Sequence, residues 1–348
     1  MFNHFLKGAF SIFLSLYSYN LYAYTSEQIS GFVLNWGDTQ GAILTESPYA
    51  SLTGTKNIAF VTNKDDTFYW GGSDYGVTLT STLVDDYIAT TGRDSSEFML
   101  SFGGSTNKTD GWSYFSDSDT DSDTIITMAD TLAQIASDSN LKGIDIDFED
   151  EPDSNSTTFR INFTTFIKEL SSQLKSNGQE LSMDLPNIAG CSTDDSGNIT
   201  NDNVVCTWAE TFTNFGYMTW IFNADGDYDL TDYFDYYNVM SYSWGDVTSE
   251  NAAIYTTSAV ESYHDLGIDY SQLNIGLDVD ESDDMANIDD AYIQSVADYV
   301  DENGLKGIFI YDYNTDSDNA DTYNFSYSTL ADGLVDHVSD NTSDTASE

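Results

Sequence analysis

The chain has 348 residues, of which 40% are hydrophobic and 14% aromatic, enough apolar material for a large core and too much for a disordered chain. Acidic residues outnumber basic ones 59 to 10, for a formal net charge of −49. Such a surface repels nucleic acid and anionic membranes, and no basic stripe overrides the repulsion.

Taken in chain order, residues 1–23 read as an export signal, with Lys7 as the positive charge, a mostly apolar stretch from Ala9, and Ala23 at the cleavage position. The protein is therefore expected to be secreted, and no later run approaches the ~20 apolar residues of a membrane span. Short apolar runs then alternate with helical patterns. Candidate strands are 31–36, 57–62, 98–102, 143–149, 181–185, 236–242, 273–277 and 307–311. Near-continuous apolarity suits parallel strands covered on both faces. Between them Ile125, Met128, Ala129, Leu132 and Ile135 repeat at helical spacing. So do Phe159, Phe163, Phe166, Ile167, Leu170 and Leu174, and later Ile288, Tyr292, Val296, Tyr299 and Val300. Gly267 and Gly304 stand where helix C-caps are expected.

About eight strand-then-helix units imply a parallel sheet closed into a (β/α)8 barrel, a TIM barrel. An open doubly wound sheet is the rival, but no Gly-rich phosphate loop follows the first strand. Residues 24–338 form one such domain, with no large insertion before the eighth strand, and 339–348 make a flexible acidic tail. The longest connection, 187–234, carries Trp208, Phe212, Phe215, Trp220 and Phe222, either as a wall of the active site or as a helix with its flanking loops. An exported chain permits a disulfide between the only two cysteines, Cys191 and Cys206, although the sequence leaves their pairing open.

The chemistry is concentrated in the run from Leu141 to Asp150. Along a strand side chains alternate, so Asp145, Asp147 and Glu149 share one face while Ile144, Ile146 and Phe148 share the other. With acids this common, acid-x-acid-x-acid arises once or twice by chance, and it recurs at 117–123 and 225–229. Those runs lack apolar interleaving and read as solvated loops. Only the run at 145–149 sits inside an apolar strand, with its acids toward the barrel interior at the end where barrel enzymes build their sites.

Gly143-Ile-Asp-Ile-Asp-Phe-Glu149 resembles the catalytic strand of glycoside hydrolase family 18, the chitinases and endo-β-N-acetylglucosaminidases. Ser101-Phe-Gly-Gly104 is similar to the family's third-strand motif, Tyr237-Asn-Val-Met-Ser-Tyr242 to its sixth-strand Met-x-Tyr motif, and Gly307-Ile-Phe-Ile-Tyr311 to its closing strand. The resemblance implies a retaining, substrate-assisted glycosidase. Glu149 would be the general acid/base. Asp147 would hold the substrate's acetamido N–H with Asp145 sharing a proton or hydrogen bond behind it, and Tyr242 would bind the acetamido oxygen. It implies no cofactor and no metal. The partner would be an N-acetylglucosamine-containing polysaccharide or glycan, chitin first, met by a monomer with no nucleic acid and no membrane after signal cleavage. The rivals are cleavage of N-glycan cores and a non-catalytic sugar-binding barrel.

Three positions depart from the family pattern. Lys142 takes the place of the motif's first, usually acidic, residue; Ser243 stands where many members carry Asp, with Asp184 on the preceding strand as a compensating carboxylate; and Tyr311 replaces a Trp that floors the reacting sugar's subsite. Trp36 and Trp244 at strand ends are candidate sugar-stacking rings, with Trp70 and Trp112 better read as core. Met240 points the same way as Tyr242 by alternation and so lines the pocket. His4, His264 and His337 have no evident partner for zinc or a triad.

The acidity carries its own test. Raising ionic strength from about 0.1 M to about 1 M shortens the screening length from ~10 Å to ~3 Å. The melting temperature should rise by several degrees across that range, and a melt that does not move would contradict a self-repelling surface.

Overall fold

The computed structural model describes residues 25–36, 40–71, 76–107, 111–149, 156–188, 190–191, 204–209, 219–222, 226, 228–242, 248–279, 288–318 and 326–336. The expected export signal and acidic tail, together with Phe212, Phe215, Ser243, Trp244, His4 and His337, lie outside the described residues.

Eight parallel strands close into a barrel: β1 (Ile29–Leu34), β2 (Lys56–Lys64), β4 (Phe98–Gly103), β5 (Gly143–Asp147), β6 (Glu180–Pro186), β7 (Tyr236–Met240), β8 (Leu273–Asp278) and β9 (Gly307–Tyr311). Each strand pairs with its neighbour in chain order, and β1 joins both β9 and β2 to complete the ring. All eight expected strands are present, with ends shifted by a residue or two. An antiparallel β3 (Thr67–Trp70) was not expected; it hairpins back on the end of β2 from Val61 to Lys64, with Asp65 at positive φ in the turn.

Two of the expected strands are too long. β5 stops at Asp147, leaving Phe148 and Glu149 just beyond it, and β7 stops at Met240 rather than Tyr242. After β7 the Ser241 N–H turns back to the Val239 carbonyl at 2.8 Å, and the Ser241 hydroxyl donates to the Gly276 carbonyl at 2.9 Å. Strand alternation therefore does not relate Met240 to Tyr242. The two side chains still pack against the same interior group, Phe32, Ala59, Phe60 and Phe309.

Helices cover the outside: α1 (Ser81–Thr91), α2 (Ser122–Asp138), α3 (Thr157–Ser176), α4 (Ser249–His264) and α5 (Asp290–Asn303). Each starts on a side-chain cap, with Thr80, Asp121, Ser156, Thr248 and Asp289 accepting a backbone N–H two or three residues on, which satisfies donors that the first turn leaves open. Gly304 caps α5 at φ 67°, as its place in the sequence suggested, whereas α4 ends three residues before Gly267. Apolar spacing brings Phe159, Phe163 and Phe166 of α3 onto the barrel. There Phe148 stacks on Phe159 at 5.0 Å, meets Phe163 at 5.5 Å and takes the edge of Trp112 at 5.1 Å.

In the long connection Trp220 packs on Phe163, and Phe222 packs on Tyr237 and Tyr263, so these two rings belong to the helix-covered exterior and not to a wall of the mouth. Trp112 is fully buried and Trp70 packs on Tyr87. Cys191 and Cys206 are joined by a disulfide, and both are buried.

Phe148 pins the end of β5 to α3 from outside. Replacing it with Ala empties a ring-sized volume in a closed aromatic cluster and should cost about 3–5 kcal/mol of stability, read from denaturant unfolding. A loss under about 1 kcal/mol would mean that the cluster does not hold this strand end.

Candidate active site

Alternation on β5 sends Ile144 and Ile146 into the outer core and turns Asp145 and Asp147 into the barrel. Strand register lines up their neighbours. Ser101 of β4 and Ser182 of β6 flank Asp145, while Gly103 and Asp184 flank Asp147, and Asn238 of β7 follows Asp184.

Asp145 has no solvent exposure, yet it is well supplied with donors. The Ser101 hydroxyl donates to Oδ2 at 2.8 Å and the Ser182 hydroxyl to Oδ1 at 2.5 Å. The Asn238 amide adds a longer bond to Oδ1 at 3.3 Å and is itself oriented by Asn274, whose amide donates to the Asn238 carbonyl oxygen at 2.8 Å. Burial raises the Asp145 pKa, and the donors from Asp184, Ser182, Ser101 and Asn238 pull it back. A buried carboxylate is tolerable only with such partners.

The Ser-x-Gly-Gly segment acquires a structural reason. Gly103 has φ 134°, and a Cβ there would lie 1.9 Å from the Asp147 carbonyl oxygen. The Gly104 N–H donates to that same oxygen at 3.0 Å. Ser101 thus steadies one aspartate by its side chain while the two glycines let β4 hook the backbone of the next.

Above these groups the mouth is aromatic. Four rings follow one another in nearly parallel planes. Trp36 lies 6.1 Å from Phe60 at 27°, Phe60 is 6.4 Å from Tyr311 at 27°, and Tyr311 is 6.4 Å from Tyr242 at 24°. Trp36 is 40% exposed at the rim, Phe60 is buried, and Tyr311 and Tyr242 are half-buried. Burial raises the Tyr242 phenol well above its ordinary value, and the charges of Asp278, Asp147 and Asp184 add to that. The Tyr311 phenol is raised for the same reasons, burial first and then Asp312, Asp147, Glu149 and Asp278. Both phenols are therefore neutral, with an O–H to offer.

Glu149 follows the strand end, is half-buried, and is close enough to Tyr311 for its charge to act on that phenol. It lies just past the end of β5, where the strand opens onto the mouth. The structure brings Asp145, Asp147, Glu149, Asp184, Met240, Tyr242, Tyr311 and Trp36 to this one end of the barrel. Lys142 lies at the opposite end, bonding the Thr55 hydroxyl at 2.6 Å and pairing with Glu180 at 3.3 Å. A cavity of about 760 Å³ at that lower end, lined by Gln28, Thr55, Lys142 and Lys306 among others, is remote from the carboxyl groups. His264 is stacked on Tyr270 at 3.8 Å, on the helical exterior.

Sequence reasoning missed Asp278, Asn238 and Asn274. The signal was available on β8, where Asn274, Gly276 and Asp278 alternate with Leu273, Ile275 and Leu277. Asp278 ends that strand in register with Tyr311, almost wholly buried. Among the described residues no group of three His, Cys, Asp or Glu is arranged to hold a metal ion.

Comparison with known proteins agrees with this geometry. The model of the family Glycosyl hydrolases family 18 matches residues 28–282. Among solved structures the fold is similar to a family 18 chitinase from Flavobacterium johnsoniae, at 16% identity and TM-score 0.59, covering 90% of this chain and 94% of that one. It is similar to a family 18 chitinase from Cycas revoluta solved in complex with (GlcNAc)3, at 13% identity and TM-score 0.59, covering 89% and 99%. A chitinase from Rhizomucor miehei aligns at 16% identity and TM-score 0.56, over 89% and 99%. No curated protein matches the chain.

The donors of Asp145 are directly testable. Ser101→Ala and Ser182→Ala should each destabilise the fold by about 1–3 kcal/mol, because each leaves part of a buried carboxylate uncompensated. Their effects should be non-additive in a double-mutant cycle, since both bonds end on one group. Strict additivity in urea unfolding would show that the two bonds do not share that group.

Proposed function

The chain belongs to glycosyl hydrolases family 18, and from that premise we propose that it is a secreted, retaining glycosidase cleaving β-1,4 linkages next to N-acetylglucosamine, with chitin or chitooligosaccharides as substrate. The observation that carries the reading is Glu149 just past the end of β5, beyond the buried pair Asp145 and Asp147 and near enough to Tyr311 for its charge to act on that phenol.

In this mechanism protonated Glu149 gives its proton to the glycosidic oxygen as the bond from that oxygen to the anomeric carbon breaks. The substrate's acetamido oxygen attacks the anomeric carbon from the other face and closes an oxazolinium ring. Asp147 accepts a hydrogen bond from the acetamido N–H and offsets the positive charge that develops. The Tyr242 phenol, held neutral by its burial, donates to the acetamido oxygen. Water then enters the site vacated by the leaving sugar. Glu149 takes one of its protons, the oxygen bonds to the anomeric carbon, and the ring opens. Configuration is retained and Glu149 is again protonated. No step calls on a metal or a nucleotide.

The rings Trp36, Tyr311 and Tyr242, joined through buried Phe60, suit pyranose C–H faces, with Tyr311 as the floor of the reacting subsite and Trp36 as the outermost platform. Met240 packs on the same ring cluster and is assigned to the pocket wall on that ground. Between β8 and β9 the described residues form only α5, which favours a shallow cleft and endo-cleavage.

Glu149→Gln keeps size and shape but removes the proton. Its kcat on a fluorogenic chitooligosaccharide should fall by about 10²–10⁴-fold with little change in KM. An unchanged rate would refute the role of Glu149. Wild-type protein that leaves chitooligosaccharides intact but trims a glycoprotein at its N-glycan core would move the substrate to N-glycans. Sugar binding without turnover of either would make the chain a non-catalytic barrel.

A further inference from the structure

The interior of the barrel holds more carboxyl groups than the mechanism uses, Asp184 and Asp278 among them. Asp184 is 1% exposed, stands in register with Asp147 on one side and Asn238 on the other, and is close to Asp145. Its surroundings differ from those of Asp145 in one decisive respect. Asp145 accepts from Ser101, Ser182 and Asn238, whereas neither oxygen of Asp184 has a donor at hydrogen-bond distance among the described residues, and only the nearby Asn238 amide favours its charge. An ionised carboxylate buried without donors, beside two further carboxylates, is a costly arrangement. A neutral acid in the same place is favourable, because its O–H has an acceptor close by in Asp145.

We propose that Asp184 is a positioning residue that stays a neutral carboxylic acid through the catalytic cycle, its O–H donated to Asp145. Asp145, with its three other donors, is then the anion of that pair. This deepens the proposed function at the same site, and it departs from the expectation that Asp145 itself shares a proton with Asp147. The proton sits one strand away on Asp184, so Asp147 is free to carry full negative charge toward the acetamido N–H.

The carboxyl groups facing Asp184 favour this state, and the Asn238 amide alone pulls the other way. Asp145 and Asp147 on β5 oppose a third charge; Asn238 on β7 is neutral; and Tyr242, which feels the charge of Asp184, is a neutral phenol. Burial and then the charges of Asp145 and Asp147 hold the Asp184 pKa well above the ordinary aspartate range. The arrangement resembles a carboxylic acid kept neutral in an apolar site so that it can donate a hydrogen bond.

The direct test is infrared spectroscopy at pH 7, comparing wild type with Asp184→Asn in a background of Glu149→Gln, which removes the signal of the general acid. The wild-type minus variant spectrum should contain the carbonyl stretch of one protonated carboxylic acid. A carboxylate pair of bands in its place would overturn the proposal. Should Asp184→Asn not fold, 13C-labelled aspartate carboxyls in the wild-type protein give the same answer: one that remains protonated at pH 7 supports the proposal, and none contradicts it.

Kinetics separate positioning from bulk packing. The amide of Asp184→Asn is uncharged and can still donate to Asp145, so its kcat should stay within about threefold of wild type, whereas Asp184→Ala, which cannot donate, should lose about tenfold or more in kcat at unchanged KM. Equal losses in both variants would show that the negative charge of Asp184 is what matters, against the proposal. The spectroscopic arm needs no turnover, so it stands or falls separately from the glycosidase reading.

Discussion

In a closed barrel each strand must satisfy two surroundings at once, a dry layer of helices outside and a narrow interior inside, and β5 meets both within a few residues. Ile144, Ile146 and Phe148 enter the aromatic layer built on α3 and Trp112, which fixes the strand against rotation about its axis. Asp145 and Asp147 are then obliged to point inward. The rest of the site is arranged around the cost of that obligation, since several kcal/mol attend each buried charge without partners.

The interior answers with a graded polarity. Near Asp145 the neighbouring strands supply hydroxyls and amides, from Ser101, Ser182 and Asn238, and the chain of Asn274 to Asn238 keeps the last of these turned the right way. One level higher the neighbours of Asp147 are Gly103, Asp184 and the phenol of Tyr242. Higher still, rings replace polar groups up to the exposed face of Trp36. A site whose base is well solvated by protein dipoles keeps its buried carboxylate in place.

Much of this was legible in the sequence. Near-continuous apolar runs located all eight barrel strands, because strands buried on both faces leave that trace. The inward acids were legible because an apolar strand interrupted by charge at every second position has few structural explanations. The strand ends were not. Alternation carried the reading of β5 and β7 two residues too far, since nothing in the residue types announces that Ser241 turns back on Val239. Asp278 shows the opposite failure. Its parity on β8 was visible, but among 59 acidic residues one more carboxylate at a strand end attracts no attention until Tyr242 and Tyr311 are seen beside it. The β2–β3 hairpin escaped because its second strand is only four residues long, too short for a periodic signal.

The account stands on the idea that the substrate's own acetamido group is the nucleophile, with Asp147 and Tyr242 there to hold it. The most direct measurement is hydrolysis of a fluorogenic chitobioside set against the corresponding cellobioside, which differs only in carrying hydroxyls where the acetamido groups were. The first should be cleaved and the second left intact at the same enzyme concentration. Comparable rates on both would mean that the acetamido group takes no part in the chemistry, and the roles given to Asp147 and Tyr242 would have to be abandoned.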